Sequence, residues 1–158
     1  MSLDPTASEF YFRSSIKKYF IDTLVTGAGK IVLFDKTILY EEVRDRTVTE
    51  WFVINFGQFR RSYLSTNVLE VNCCTRNDTE GIALSKLTDT LIENITDPTK
   101  TDTTQRITLY NSTNANPATW TAVGGMMVTD IMEGIQQLTS DGTKVKGISF
   151  SLRWGTVI

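Results

Sequence analysis

Large apolar residues near the start of the chain recur at helical spacing. Four of them lie four positions apart: Phe12, Ile16, Phe20 and Leu24. They line one face of an amphipathic helix. Residues 6–9 have the Ser/Thr-x-x-Glu pattern of a capping box and follow Asp4-Pro5, so we expect the helix to start there. Gly27 or Gly29 should end it, because glycine adopts the left-handed conformation found at many helix ends.

The following stretch, as far as residue 76, favours strands. Residues 30–40 and 49–56 are rich in β-branched and aromatic side chains, which predicts two strands. The charged segment between them, 41–46, is expected to be the solvated tip of a hairpin. Residues 57–67 predict a turn, and residues 68–76 alternate apolar and polar side chains like a strand with one buried face.

A second amphipathic helix is predicted after residue 76. Asn77 and Glu80 form an Asx version of the capping box, and acidic side chains favour the positive end of a helix. Asp97-Pro98 should stop this helix, because proline cannot continue it. Its apolar face is expected to contain Leu84, Leu87, Leu91 and Ile95.

The last third of the chain predicts more strands. Residues 106–111 and 120–123 are expected to be strands, the second interrupted by Gly124-Gly125. Residues 126–138 fit either a helix or a long strand, and the Asp141-Gly142 turn signal after them favours the strand. Residues 144–154 alternate cleanly. The pattern predicts an α+β fold, a mostly antiparallel β-sheet packed against two amphipathic helices.

Length and charge limit the possible classes of protein. The chain has 158 residues, enough to bury a core without disulfides or metals, so we expect a single domain over residues 1–158. The net charge is −2 and the lysines and arginines are scattered, unlike the basic stripe of most nucleic-acid binders. We find neither a signal peptide nor an apolar run of about 20 residues, so we expect no membrane partner.

Side chains that usually carry catalysis are scarce. The sequence has no histidine, the commonest group for proton transfer near neutral pH and the commonest metal ligand. Its two cysteines, Cys73 and Cys74, should point to opposite faces of a strand, and two ligands do not make a metal site. Carboxylate, lysine or tyrosine chemistry is left open. We nevertheless expect no enzyme, no cofactor and no metal.

Two patterns resemble binding sites superficially. Residues 27–30 carry a Gly-Ala-Gly-Lys sequence, but they follow a helix and precede a strand, the reverse of a phosphate-binding loop. A helix end explains them better. Glu41, Glu42, Asp45 and Glu50 lack the alternating ligands and the glycine of a calcium loop, so a solvated hairpin tip is the better interpretation.

The predicted order of elements has a known counterpart. It consists of the first amphipathic helix, strands through residues 49–57, the segment 70–78 leading into the second helix, and closing strands that end at Arg153-Trp154. In this order, which spans nearly the whole chain, the protein resembles the tail terminator (tail completion) proteins of tailed bacteriophages. The long Thr/Asn-rich loops depart from the commoner form of that family.

The resemblance implies a structural virion protein. Its first partner would be itself, in a ring, usually a hexamer, that caps the head-proximal end of the tail tube and stops polymerisation. The ring would contact the tail tube protein on one side and a head-completion or connector protein on the other. Genomic DNA would pass through the lumen without specific binding. Assembly would take place in the host cytoplasm.

Exposure and polarity indicate where such contacts could lie. The candidate interface residues are Arg44, Asp45, Arg46, Arg60, Arg61, Thr99, Lys100, Asp102, Asn114 and Asn116. One alternative is another neck or tail component, either a head–tail connector or a tube subunit. Another is a small ligand-binding or enzymatic α+β domain that uses carboxylates and tyrosine in a cleft of the sheet.

Overall fold

A computed structural model describes residues 3–38, 47–96 and 106–157. A short 3₁₀ turn, Pro5–Ala7, precedes helix α1, which continues into one stretch of π-helix, Ile21–Gly27. A second 3₁₀ turn is Pro117–Thr119. The longer elements are α1 (Glu9–Phe20), β1 (Ile31–Phe34), β2 (Glu50–Arg60), β3 (Leu64–Thr75), α2 (Ile82–Thr96), β4 (Arg106–Asn111), β5 (Thr121–Leu138) and β6 (Lys144–Gly155).

The six strands form one sheet in the order β1-β2-β3-β6-β5-β4. All neighbouring strands are antiparallel except β1 and β2, which run parallel. Strands β3 and β6 pair along their whole length, from Leu64 opposite Gly155 to Thr75 opposite Lys144. They are the centre of the sheet. The predicted α+β class, a mostly antiparallel sheet with two amphipathic helices, is confirmed.

Both helices lie on one face of the sheet, and the main core lies between them and the strands. The four apolar residues of each predicted helix face are buried there, as the spacing predicted. Alternate residues of β3 and β6 face them, including Leu69, Val71, Ile148 and Phe150. Phe12 stacks on Trp154 with ring centroids 5.2 Å apart. Burial of this face is the main stabilising term of the fold.

The opposite face of the sheet is covered only at one end. A smaller core forms there from Leu33, Trp51, Val53, Cys74 and Val145. Trp51 Nε1 donates a hydrogen bond to the Ile38 carbonyl at 2.8 Å. No helix of the described ranges covers the remaining part of this face, along β3, β6 and β5, and we call it the open face.

The adjacent cysteines point to opposite sides of β3, as predicted. Cys73 belongs to the main core and Cys74 to the smaller one, and both are free thiols. Burial raises the pKa of each thiol to about 12. Both thiols are therefore protonated and unreactive in the folded protein near neutral pH.

The prediction of a hairpin over residues 30–56 is wrong. Strand β1 ends at Phe34, and it pairs with β2 in parallel, Ile31 opposite Trp51 and Phe34 opposite Ile54. Asp35 has φ 52 and its carboxylate accepts from the Phe56 N–H, so the chain turns away at that residue. Residues 39–46, which contain most of the expected tip, lie outside the described residues.

The turn expected over residues 57–67 is mostly strand. β2 continues to Arg60 and β3 begins at Leu64, with a bulge between Phe56 and Phe59. Gly57 permits this bulge, because a Cβ there would lie 2.5 Å from the Val68 carbonyl oxygen. The aromatic residue Phe59, which packs against Trp154, keeps the strand attached to the core.

Both helices begin later than the capping patterns predicted. Asp4 caps the short 3₁₀ turn, and Ser8 caps α1 by accepting from the Tyr11 N–H. At α2 the cap is Asp78, whose carboxylate accepts from the N–H groups of Ala83 and Leu84. Asn77 has φ 57 and lies in the turn before the helix. The predicted C-terminal end of α2 is confirmed, because this helix stops at Thr96, next to Asp97-Pro98.

Residues 121–138 form one continuous strand, β5, without a break at Gly124-Gly125. The strand alternative for residues 126–138 is therefore correct. Two bulges interrupt its pairing with β6, one between Thr129 and Met132 and one between Glu133 and Gln136. Each bulge inserts one residue into β5. The side chains after a bulge therefore point to the opposite face from the one that unbroken alternation would give them.

Candidate interaction surface

Six of the ten predicted interface residues lie outside the described residues: Arg44, Asp45, Arg46, Thr99, Lys100 and Asp102. The other four are exposed, as predicted. Arg60 and Arg61 are at the end of β2, and Asn114 and Asn116 are in the loop between β4 and β5. The structure therefore separates the four into two groups.

The two asparagines organise their own loop. The Asn114 side-chain oxygen accepts from the Asn116 N–H at 3.0 Å and from the Thr119 hydroxyl at 2.7 Å. The Asn114 carbonyl accepts from Trp120 Nε1 at 2.8 Å, and Asn116 caps the 3₁₀ turn by accepting from the Ala118 N–H. The side-chain oxygens of both asparagines therefore accept hydrogen bonds inside the loop. Their first role is structural.

The two arginines differ in their surroundings. Arg61 Nε donates to the Ala7 carbonyl at 2.8 Å, and its guanidinium lies 4.9 Å from the centre of the Phe59 ring. Arg61 thus attaches the N-terminal segment to the end of β2. Arg60 makes no ion pair within the described residues and lies on the open face.

Register brings Arg60 into one row with two arginines that sequence reasoning did not single out. Arg60 is opposite Thr66, Thr66 opposite Arg153, Arg153 opposite Met127, and Met127 opposite Arg106. Directly opposite residues share a face, so three guanidiniums lie across one end of the open face. Arg153 is paired with the Asp130 carboxylate at 2.8 Å. The row depends on strand register, for which the sequence carries no local signal.

Strand β5 has two environments. Residues 121–127 pair with β4, Met127 pairs with both β4 and β6, and from Val128 to Leu138 the strand pairs with β6 alone in the described part of the chain. This distal half leaves a free strand edge about 30 Å long. Unpaired N–H and C=O groups on such an edge are a template for pairing with another chain.

Three large apolar side chains lie along that edge, Met132 and Ile135 on the open face and Leu138, opposite Lys144, on the helix face. Met132 is 68% exposed, Ile135 is 80% exposed and Leu138 is 69% exposed. We call these three residues the edge patch. The charges beside them are already neutralised, because Glu133 pairs with Lys146 at 3.0 Å and Asp130 with Arg153. An edge without unmatched charges lacks the usual protection of exposed strands against association.

A groove runs along the open face beside the edge patch. Its volume is about 440 Å³, and Met132 and Ile135 form one wall. Glu70 and Asn72 of β3 form the other wall, and small residues of β6 such as Gly147 lie along its floor. Gly134 makes the groove possible, since a Cβ there would lie 3.0 Å from the Gly147 carbonyl oxygen. The two bulged strands therefore approach closely only because glycine occupies this position.

A polar network fixes the turn between β5 and β6. The Thr139 hydroxyl and the Thr143 N–H and hydroxyl donate to the Asp141 carboxylate. The Thr139 hydrogen bond is the main reason why the pKa of Asp141 is lowered, and it outweighs the opposing effect of burial. The Lys144 ammonium donates to the Asp78 carbonyl and so connects the hairpin to the N-terminus of α2.

Asp78 itself is held as a carboxylate. Burial raises its pKa, but hydrogen bonds from the Leu84 and Ala83 N–H groups and the Thr75 hydroxyl, together with the charge of Lys144, outweigh this and lower it. A permanent negative charge at this position favours the helix start. The base of the β5–β6 hairpin is thereby rigid, although the edge patch has no cover in the described part of the chain.

A second exposed apolar group lies at the other end of the sheet, where the chain termini meet the β2–β3 turn. Its members are Leu3, Tyr63, Leu64 and Val157. Tyr63 is 91% exposed. Backbone contacts join these segments, because the Thr156 N–H donates to the Tyr63 carbonyl and the Val157 N–H to the Thr6 hydroxyl. We call these four residues the terminal patch.

The described ranges contain neither a cluster of metal ligands nor a helix that could span a membrane. No group of three or more histidine, cysteine, aspartate or glutamate side chains is arranged to hold a metal ion there. Across those ranges, no helix combines the length and apolar content that crossing a bilayer requires. The shallow polar cleft at the base of α2, about 280 Å³ and lined by Arg76, Asp78, Asp141 and Lys144, holds matched charges.

Comparison with known proteins gives similarity of fold only. No protein-family model matches the chain, and no curated protein matches it. Eleven chains of solved structures do match. One of them has a TM-score of 0.60 and 13% sequence identity, covers 96% of this chain and 98% of its own, and has a description that names no function. At such low identity the similarity shows the fold alone.

Proposed function

We propose that this protein is a ring-forming structural subunit of a bacteriophage tail, the terminator that caps the tail tube. The observation that carries the proposal is the free edge of β5. It combines backbone groups that no described strand pairs with the exposed side chains of the edge patch and with charges that are already matched within the chain. Such a surface favours permanent association with another protein.

The order of elements supports the same proposal. An amphipathic helix, a sheet and a second helix followed by closing antiparallel strands are the features in which the sequence resembles tail terminators. The weak net charge of −2 is compatible with DNA passing through a ring without being held. In this proposal the partners are further copies of the chain, the tail tube protein and a head-completion or connector protein.

The first test is the mass of the purified protein in solution. Native mass spectrometry and negative-stain electron microscopy should show closed rings, six copies being the number that the family resemblance implies. A closed ring needs a heterologous contact, in which two different surfaces of neighbouring copies meet. A protein that stays monomeric at every concentration, with and without tail tubes, would contradict the proposal.

The second test separates a terminator from a tube subunit. Added to polymerising tail tube protein, a terminator should bind tube ends and shorten the tubes in proportion to its concentration. A tube subunit would instead stack into open filaments by itself. The length distribution of tubes in electron micrographs, with and without the protein, measures the difference.

A further inference from the structure

We propose that a second copy of this chain docks on the edge patch through its own terminal patch, with Tyr63 of that copy in the groove beside β5. This inference rests on the proposed function, because it names the surfaces that would close the ring. It is a head-to-tail contact, in which each copy offers two different surfaces.

The two patches lie at different places on the sheet. The edge patch lies along one lateral edge of the sheet, and the terminal patch lies at one end of it. Along β3 the rows of Met132 and Leu138 are about 20 and 36 Å from the row of Leu64, because a strand advances about 3.3 Å per residue. Two surfaces this far apart cannot cover each other within one copy. Between copies they produce a directional contact that can close into a ring.

The Tyr63 side chain fits the groove beside β5 in exposure and in chemistry. Tyr63 is the most exposed of the large apolar side chains in the described part of the chain, and it lies at a turn, where it projects beyond the sheet. The groove is about 440 Å³ and has an apolar wall, Met132 and Ile135, opposite a polar wall, Glu70 and Asn72. A tyrosine matches such a groove, because its ring is apolar and its hydroxyl needs a hydrogen-bond partner.

Charge at the margins is complementary as well. Arg60 and Arg61 border the terminal patch, and neither forms an ion pair in the described part of the chain. Glu70, in the polar wall of the groove, is exposed and forms no ion pair in the described part of the chain. Opposite charges at the rim of a contact favour one orientation and one partner.

The undescribed segment next to β4 is a poorer occupant. Residues 97–105, which precede β4, have the sequence DPTKTDTTQ and offer no large apolar side chain. They could not provide apolar contacts for Met132, Ile135 and Leu138 together. A two-fold contact between two β5 edges would cover the edge patch, but it would leave the terminal patch exposed on both copies and would stop at a dimer.

The experiment that tests the contact directly is cross-linking between engineered thiols. We expect chains carrying Ile135→Cys and chains carrying Tyr63→Cys to cross-link with a short bismaleimide when mixed. The double variant should give a ladder that ends at the ring. Cys73 and Cys74 are buried and give no background. Dimers formed by Ile135→Cys alone would show a two-fold contact and overturn the inference.

A matched pair of charge substitutions gives an independent test. Ile135→Asp should raise the dissociation constant of the assembly by about tenfold or more, because a carboxylate would be buried in an apolar contact. Val68→Asp is the control, since Val68 is an exposed strand residue of the open face outside both patches. Tyr63→Ala should weaken assembly and Tyr63→Phe should largely preserve it. Circular dichroism of each monomer would show that the fold is kept.

The outcomes for the inference and for the proposed function are distinct. Rings that persist unchanged in Ile135→Asp and Tyr63→Ala would overturn the docking inference while leaving the terminator proposal in place. A wild-type chain that is monomeric in isolation overturns the docking inference, and the proposed function is overturned as well only if the chain also stays monomeric in the presence of tail tubes. Loss of rings in both variants, with Val68→Asp unaffected, is the expected result.

Discussion

The two halves of β5 differ in what their apolar side chains do. The proximal half, as far as Met127, pairs with β4 and buries Met126 in the main core. The distal half pairs with β6 alone among the residues that the structure describes, and it exposes Met132 and Ile135. The two halves have similar side chains in the same strand. From this difference in surroundings we infer that the proximal half stabilises the fold, whereas the distal half offers a contact to another molecule.

The largest expected effect comes from equal substitutions in the two halves. Met126→Ala should lower the free energy of unfolding by about 2–4 kcal/mol, because it removes a fully buried side chain and leaves a cavity. Met132→Ala should change it by less than about 0.5 kcal/mol in the monomer, since that side chain is mostly exposed. Urea denaturation at low protein concentration measures both values. Equal losses would contradict the division of β5 into a stabilising and a contacting half.

A smaller effect is expected at the turn that supports the distal half. Asp141→Asn should lower the melting temperature by a few degrees at pH 7, because the Thr139 and Thr143 donors would face a neutral amide. Since hydrogen bonding lowers the pKa of Asp141 in the folded state, its contribution is present above its ordinary value of 3.8 and is lost as the pH falls through the lowered value.

The control for this substitution is the pH dependence itself. The difference in melting temperature between the wild type and Asp141→Asn should be constant from pH 7 down to about 5 and should then shrink in acid. Other carboxylates titrate in both proteins, so they cancel in the difference. A difference that grows as the pH falls would contradict the assigned role of Asp141.

Much of the fold could be predicted from the sequence because its hydrophobic periods are regular. Strand β6 alternates without interruption, and α2 keeps its four apolar residues at helical spacing. Both elements pack on the main core, so local pattern and tertiary environment agree. The parallel β1–β2 pair could not be predicted, because the turn at Asp35 depends on contacts with Ile54 and Phe56.

The ambiguity of residues 126–138 has a physical cause. Two bulges each insert a residue into β5, at Asp130 and near Gly134. They change the two-residue period of a strand into spacings of three and four residues, which are also those of a helix. The turn at Asp141-Gly142 and the clean alternation of β6 were the better signals, because a hairpin partner needs a strand opposite it.

The candidate surface was much less predictable than the fold. Polarity indicated Arg60, Arg61, Asn114 and Asn116 correctly as exposed, but two of these side chains mainly organise their own loop. The edge patch consists of apolar residues, which sequence reasoning assigns to a core. Only strand order shows that β4 begins at Arg106, opposite Met127, so that among the described residues the distal half of β5 has no second neighbour.

Amide hydrogen exchange of β5 tests the central claim most directly. The wild-type protein would be measured below and above the concentration at which it assembles, with mass spectrometry reporting both mass and exchange. We predict that amides of residues 129–138 exchange at least about tenfold more slowly in the assembled protein, while those of β3 and β6 are unchanged. Rings that form without any added protection of residues 129–138 would contradict the claim that the free edge of β5 joins the copies.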